Sequence, residues 1–156
     1  MNTKTEVAVE KFLSGYNCAQ AVLYAYGPDL GLDAETALKV ATGLGGGMGA
    51  RGETCGAVTD GILALGLKFG RGNQQDRSVA QVAYQKTRDL MAAFERAQGS
   101  CCCRTLLGGI DLRTPEGMRQ FKDQDLHRKV CAGCVRTVGE SVGAMLASAP
   151  APTPAA

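Results

Sequence analysis

GLGGGMGARGETCGAVTDGILALGLKFG, residues 43–70, is the stretch from which the rest of the chain is read. Up to Thr54 it is crowded with glycine and shows no apolar period, the mark of a flexible loop. From Val58 onward apolar residues recur at Ile62, Leu65 and Phe69, which is helical spacing. Cys55 stands at the junction of loop and helix. With Thr54 as N-cap, its thiol falls in the first helical turn, where unpaired backbone N–H groups and the helix dipole favour a thiolate. Beside the bulky stripe, Ala57, Gly61 and Ala64 form a seam of small residues that another helix can approach closely. The Cys55 helix is therefore expected at the centre of the fold.

Working outward, Thr3 caps a first helix to about Leu13, with Val9, Phe12 and Leu13 on one side, and Gly15 breaks it. Asn17 caps a second helix that begins at Cys18 and carries Ala19, Val22, Leu23 and Tyr26 until Gly27-Pro28 stops it. Asp33 caps a short helix to about Leu44. Past the central helix, Asn73 opens the longest run, about Asp76 to Gln98, with Val79, Val82, Ala83, Leu90 and Phe94 inward. Its amphipathicity marks an outer or interface helix. Gly99 ends it, and Ser100 caps a short helix whose first turn holds Cys101, Cys102 and Cys103. Thr114-Pro115-Glu116 starts another short helix, with proline in the first position. The last helix begins between Asp125 and Ala132 and aligns Val135, Val138, Val142 and Met145. Cys131 either extends that stripe or sits at the helix N-terminus, and it faces inward both ways. No segment alternates with period two for long enough to be a strand. The expected fold is all-α, a compact bundle of about six to seven helices with cysteines at helix N-termini. One domain covers 1–147, and 148–156 is a disordered Pro/Ala tail.

With 156 residues the chain can bury a core without cross-links. Its 17 Lys and Arg are scattered among 15 Asp and Glu, so no basic patch argues for nucleic acid. The N-terminus lacks a signal-peptide pattern and no run of about 18 apolar residues is present. A cytoplasmic protein without membrane insertion is expected. In a reducing compartment, seven cysteines read as metal-binding or redox-active, and their odd number argues against a closed disulfide framework.

Cys18, Cys55, Cys103 and Cys131 each lie at or beside a helix start on a different helix, so these four are placed around one centre. Four convergent helix ends lower thiolate pKa values and offset the charge of a tetrathiolate metal site. The plainer alternative treats a free cysteine as a small buried hydrophobe. Successive helical residues point about 100° apart, so three adjacent thiols cannot share one site. Cys103 is preferred inward, with Cys101 and Cys102 as spare thiols or a resolving pair. Cys131-Ala132-Gly133-Cys134 is a CxxC that suits a redox dithiol or half a zinc site. No histidine follows it, so c-type haem attachment is excluded there. The lone His127 reads as a surface or capping residue before a ligand. Asp60 interrupts an apolar helix, either bonding toward the glycine loop or reaching solvent. GLGGGMG lacks the Gly-Lys-Ser/Thr of a phosphate loop. Lys68, Arg71, Arg104 and Arg128 read as ordinary surface residues before counter-charges to a cluster.

Asn17-Cys18-Ala19-Gln20, then Thr54-Cys55-Gly56-Ala57-Val58-Thr59-Asp60-Gly61 running into Leu65-Gly66-Leu67-Lys68-Phe69-Gly70, then Cys103-Arg104-Thr105-Leu106-Leu107-Gly108 and Cys131, resemble the redox-active protein family named for its C-GCAxxG-C-C pattern. The resemblance covers about Phe12 to Met145. It implies a helical domain with four characteristic cysteines, suited to redox work or to an iron–sulfur centre. A similar domain precedes the haem-binding tail of split-Soret cytochromes, which are dimeric and carry an associated iron–sulfur cluster. Here Pro/Ala replaces that tail, so haem is expected to be absent. Cys101, Cys102 and Cys134 go beyond the four-cysteine pattern.

The resulting expectation is an electron-transfer or redox-sensing protein, or an oxidoreductase. It holds an iron–sulfur cluster, two-iron by preference, through Cys18, Cys55, Cys103 and Cys131, with Gly56 and Ala57 bringing backbone N–H groups to a cluster sulfur. The alternatives are a metal-free thiol–disulfide protein using Cys131 with Cys134 or the 101–103 run, and a zinc-stabilised helical binding module. A redox partner protein is implied, and the long helix offers a face for a homodimer.

Overall fold

The helix signals of the N-terminal third form as hydrogen bonds in the computed structural model, which describes residues 3–73 and 76–148. Thr3 and Glu6 close a capping box ahead of α1 (Lys4–Leu13), and Asn17 and Gln20 close another ahead of α2 (Cys18–Tyr26). The Asp33 side chain accepts from the Thr36 N–H at the head of α3 (Ala34–Ala41). Single 3₁₀ turns at Pro28–Leu30 and Thr42–Leu44 follow α2 and α3. Then come α4 (Gly56–Phe69), α5 (Ser78–Gln98), α6 (Cys103–Leu106), α7 (Pro115–Asp123) and α8 (Ala132–Ala147). The fold is all-α, with no strand among the described residues. The Pro/Ala segment expected as a tail lies outside the described residues from 149 on; Ser148 is the C-cap of α8.

Small residues decide which helices meet. On α4, Ala57 and Ala64 are fully buried, and a Cβ on Gly61 would come 2.7 Å from Val138 Cγ1 and 2.9 Å from Leu90 Cδ2. That close approach sets α4 against α5 and α8, while its other side packs on α2. Between α1 and α8, a Cβ on Gly139 would meet Thr5 at 3.0 Å. The Tyr26 hydroxyl, from α2, donates to the Gly139 carbonyl over 2.6 Å and so ties a third helix to that contact. Among the described residues, the continuous helix His127–Ala147 is long and apolar enough to cross a membrane by length and composition alone. Here Val135, Val138 and Val142 along it are fully buried in the core.

Helix α5 departs from expectation in its first half. Leu90 and Phe94 are buried as read, but Val82, expected inward, is 47% exposed. The cause is a difference in length: α4 ends at Phe69, whose ring lies under the Lys86 ammonium, so earlier residues of α5 have no α4 partner opposite them.

The glycine stretch is not the flexible loop expected. Gly46, Gly47, Met48, Gly49, Ala50 and Gly52 all hold left-handed φ values between 59° and 76°. The coil is closed by backbone bonds, among them Gly49 N–H to Gly43 C=O at 2.8 Å and Glu53 N–H to Gly47 C=O at 2.9 Å. A left-handed coil costs an L-residue about 1–2 kcal/mol per position, which accounts for the glycine content.

Candidate functional site

The N-terminal ends of α2, α4 and α6 meet the start of the α8 helix around one cavity of about 280 Å³. Five thiols line it: Cys18, Cys55, Cys103, Cys131 and Cys134. Each arrives by its own local device. Cys18 is the first residue of α2, fixed by the Asn17–Gln20 capping box, and the Asn17 amide also donates to the Thr42 carbonyl at 3.0 Å. Cys55 is itself the N-cap of α4, without a side-chain cap bond. Thr54, expected in that role, instead pairs with Cys102 in an isolated antiparallel bridge.

That bridge joins two distant parts of the chain. The Cys55 N–H donates to the Cys101 carbonyl at 2.8 Å, and the Cys103 and Arg104 N–H groups donate to the Glu53 and Gly52 carbonyls at 2.6 and 3.1 Å. Cys103 thereby opens α6 on the cavity wall. Its two neighbours stay outside the helix, contrary to the reading that put all three in a first turn, because the backbone of 101 and 102 is engaged in the pairing. Cys101 is buried with its thiol toward the Met91 carbonyl, and Cys102 donates to the Gly52 carbonyl at 3.2 Å. Cys131 ends a π-helical turn, His127–Cys131, that runs straight into α8. It is therefore inside a continuous helix, and the turn presents His127, Cys131 and Cys134 to the same cavity. The His127 ring stacks on Phe12, centroids 4.1 Å apart.

Glycine makes room for the sulfurs. A Cβ on Gly56 would lie 2.8 Å from Cys18 Sγ and 2.9 Å from the Leu44 carbonyl, and one on Gly47 would lie 2.6 Å from Cys103 Cβ. Gly45 likewise abuts the Asn17 side chain.

The electrostatics correct the expectation of depressed thiol pKa values. A hydrogen bond to Cys55, followed by burial, holds Cys18 well above the ordinary thiol range. Cys55 is raised by its hydrogen bond to Cys134 and by burial. Burial and the neighbouring thiols push Cys103 up to about 11 and Cys131 to about 12. The Ala57 N–H opposes this at both Cys18 and Cys55, and Arg104 opposes it at Cys103. Desolvation and crowding of like groups outweigh the helix ends. Cys102, outside the cavity, is lowered by the hydroxyl and N–H of Thr105.

Two features escaped the sequence reading. Cys134 is 2% exposed and lines the same cavity as Cys55, although helical spacing from Cys131 already placed it on the same face. Asp60 is completely buried; its only described partner is the Thr59 hydroxyl at 3.4 Å, and its Oδ2 has none. The solvated alternative for Asp60 is thus excluded, and burial pushes its carboxyl up to about 7.

Among the described residues, no three His, Cys, Asp or Glu side chains are grouped to hold one metal ion. Five thiols around one cavity nevertheless form a soft, all-sulfur donor set with room between its members.

A family model described as "Putative redox-active protein (C_GCAxxG_C_C)" matches residues 16–145. Counted from Ala57, the AxxG of that pattern puts its glycine at position 60, where this chain has Asp60. No curated protein and no solved structure matches the chain.

Proposed function

The chain belongs to the C_GCAxxG_C_C family of redox-active proteins, and from that premise we propose that it holds an iron–sulfur cluster, two-iron by preference, between Cys18, Cys55, Cys103 and Cys131, for electron transfer or redox sensing. One observation carries the reading: four thiols from separate helices line a cavity in which no Lys, Arg, Asp or Glu takes part. Thiolates buried there without a counter-charge are strongly disfavoured. Iron in place of the thiol protons supplies both the positive charge and the one-electron redox change.

The chain's own residues have defined parts in this reading. Gly56 leaves space for the Cys18 sulfur, and the Ala57 N–H donates toward Cys18 and Cys55, which favours the reduced, more negative centre. Phe12, Leu107, Leu112, Phe121 and Val130 give the cavity an apolar wall beside the sulfurs.

The test is substitution on protein purified without oxygen. Cys55→Ser is expected to abolish or strongly weaken the visible absorption of the wild type, and an unchanged spectrum removes Cys55 from the ligand set. A second reading, thiol–disulfide exchange without metal, is favoured by the placement of Cys18, Cys55 and Cys134 around one cavity. It predicts a colourless protein in which alkylation and mass measurement find one disulfide that forms and reduces reversibly.

A further inference from the structure

Residues 110–124 cover one side of the thiol cavity without joining the core. Leu112 and Phe121 line the cavity, yet among the described residues none of Ile110, Leu112, Met118 and Phe121 belongs to the apolar core or packs against it. Gly117 is the only buried residue of α7, and α7 makes no extended contact with another helix. The segment is held to itself instead. The Asp111 carbonyl accepts from the Thr114 N–H at 3.2 Å and from its hydroxyl at 3.0 Å, the Gly117 N–H donates to Thr114 Oγ1 at 2.9 Å, and Arg113 forks onto both Asp111 carboxylate oxygens at 3.0 Å. Its one described ion pair to the rest of the chain, Arg104 Nη2 to Asp111 Oδ2 at 3.5 Å, is partly exposed on both sides and adds little. At both ends the backbone turns left-handed: Gly108 and Gly109 have φ 69° and 91°, with nothing within 4 Å of where a Cβ would stand, and Asp125 has φ 52°. We propose that residues 110–124 are a lid that turns as one piece about Gly108-Gly109 and Asp125 and admits small uncharged molecules to the buried thiols.

The chain just outside each hinge is anchored. The Gly108 and Gly109 N–H groups donate back to the Thr105 and Arg104 carbonyls at 3.1 and 2.8 Å, and two residues past Asp125 the His127 ring stacks on the buried Phe12. Every other wall of the cavity is tied to the core. Moving α4 or α8 would uncover Val58, Val135 and Val138, all fully buried, whereas lifting the lid parts only Leu112 and Phe121 from the cavity. Local opening follows the least-packed route. No Lys, Arg, Asp or Glu lines the cavity, so a charged visitor would lose its hydration without gaining a partner.

The experiment compares wild type, Phe121→Ala, Phe121→Leu and Ile62→Val, the last a small loss in the core away from the lid. Backbone hydrogen exchange is followed by mass on the full chain as purified without oxygen. Alkylation of Cys18, Cys55, Cys103, Cys131 and Cys134 by iodoacetamide is timed after a chelator has removed any bound metal. Iron content, which decides the cluster reading, enters neither readout. In wild type the amides of α7 are expected to exchange about tenfold or more faster than those of α4 and α8. Phe121→Ala should speed both α7 exchange and cavity-thiol alkylation by about tenfold, with Phe121→Leu restoring most of the difference and Ile62→Val changing neither. Iodoacetate should lag iodoacetamide at the cavity thiols by more than it does in the urea-unfolded chain. Amides of α7 as protected as those of α8 overturn the proposal. So does faster α7 exchange in Phe121→Ala without faster alkylation, since the helix then frays in place, or equal acceleration by Ile62→Val, since the opening is then global. The same reagent ratio in folded and unfolded chain overturns the selectivity for uncharged molecules.

Discussion

Gly56 and Gly66 lie on the same helix and carry opposite expectations. A Cβ at Gly56 would press on Cys18 Sγ and the Leu44 carbonyl, whereas at Gly66 nothing lies within 4 Å. Gly56→Ala should therefore cost about 1–3 kcal/mol, as overpacking does, and displace Cys18. Gly66→Ala should stabilise by about 0.5–1 kcal/mol through helix propensity. Urea unfolding of the pair checks both signs. Asp60 supplies a pH dependence. Its folded carboxyl titrates near 7 against about 4 in the unfolded chain, so between these values the unfolded state has lost a proton that the folded state keeps. Stability should fall as pH rises through that window, by about 1.36 kcal/mol per unit and on the order of 4 kcal/mol in all. Asp60→Asn should flatten the slope; an unchanged slope assigns it to another group. At this scale the sequence was read well where a residue acts through the backbone and poorly where burial decides. Asn17 announces its cap by type and spacing alone. Nothing local distinguishes a buried Asp60 from an exposed one, since its burial is set by the helices packed on α4.

Between elements, the site depends on how α2 begins and on how the glycine coil is wound. Asn17→Ala removes the cap bond to Gln20 N–H and the link to Thr42 C=O, and should cost about 0.5–2 kcal/mol. Ala50 holds φ 64° within the left-handed coil. Ala50→Gly should relieve that strain and leave stability equal or higher by up to about 1 kcal/mol, against the loss that glycine brings at an ordinary loop position. Thermal unfolding of both variants separates the two contributions. Element starts and types were legible because caps, glycine breaks and 3.6-residue periods are local signals. The Thr54–Cys102 bridge was not, because it is a single pairing between segments almost fifty residues apart, with no alternating pattern to announce it. The exposed half of α5 was misread for a related reason: its apolar residues fit an amphipathic period, but the helix that would cover them ends at Phe69.

Across the whole molecule, three helix starts and one continuous helix, far apart in the chain, deliver their cysteines to one cavity, and the small residues at 47, 56 and 61 permit the approach. Cys18, Cys55, Cys103 and Cys131 were singled out from position relative to helix starts. Their mutual placement came only with the packing, as did the fifth thiol at Cys134. The packing also reversed the expected electrostatics: thiols brought together in a cavity without charged side chains hold their protons until something replaces them. The most direct measurement is the iron, acid-labile sulfide and zinc content of the full chain purified without oxygen. Iron and sulfide in equal amounts, with negligible zinc, is the predicted result; a chain carrying neither iron nor sulfide, or a single zinc in their place, would contradict it.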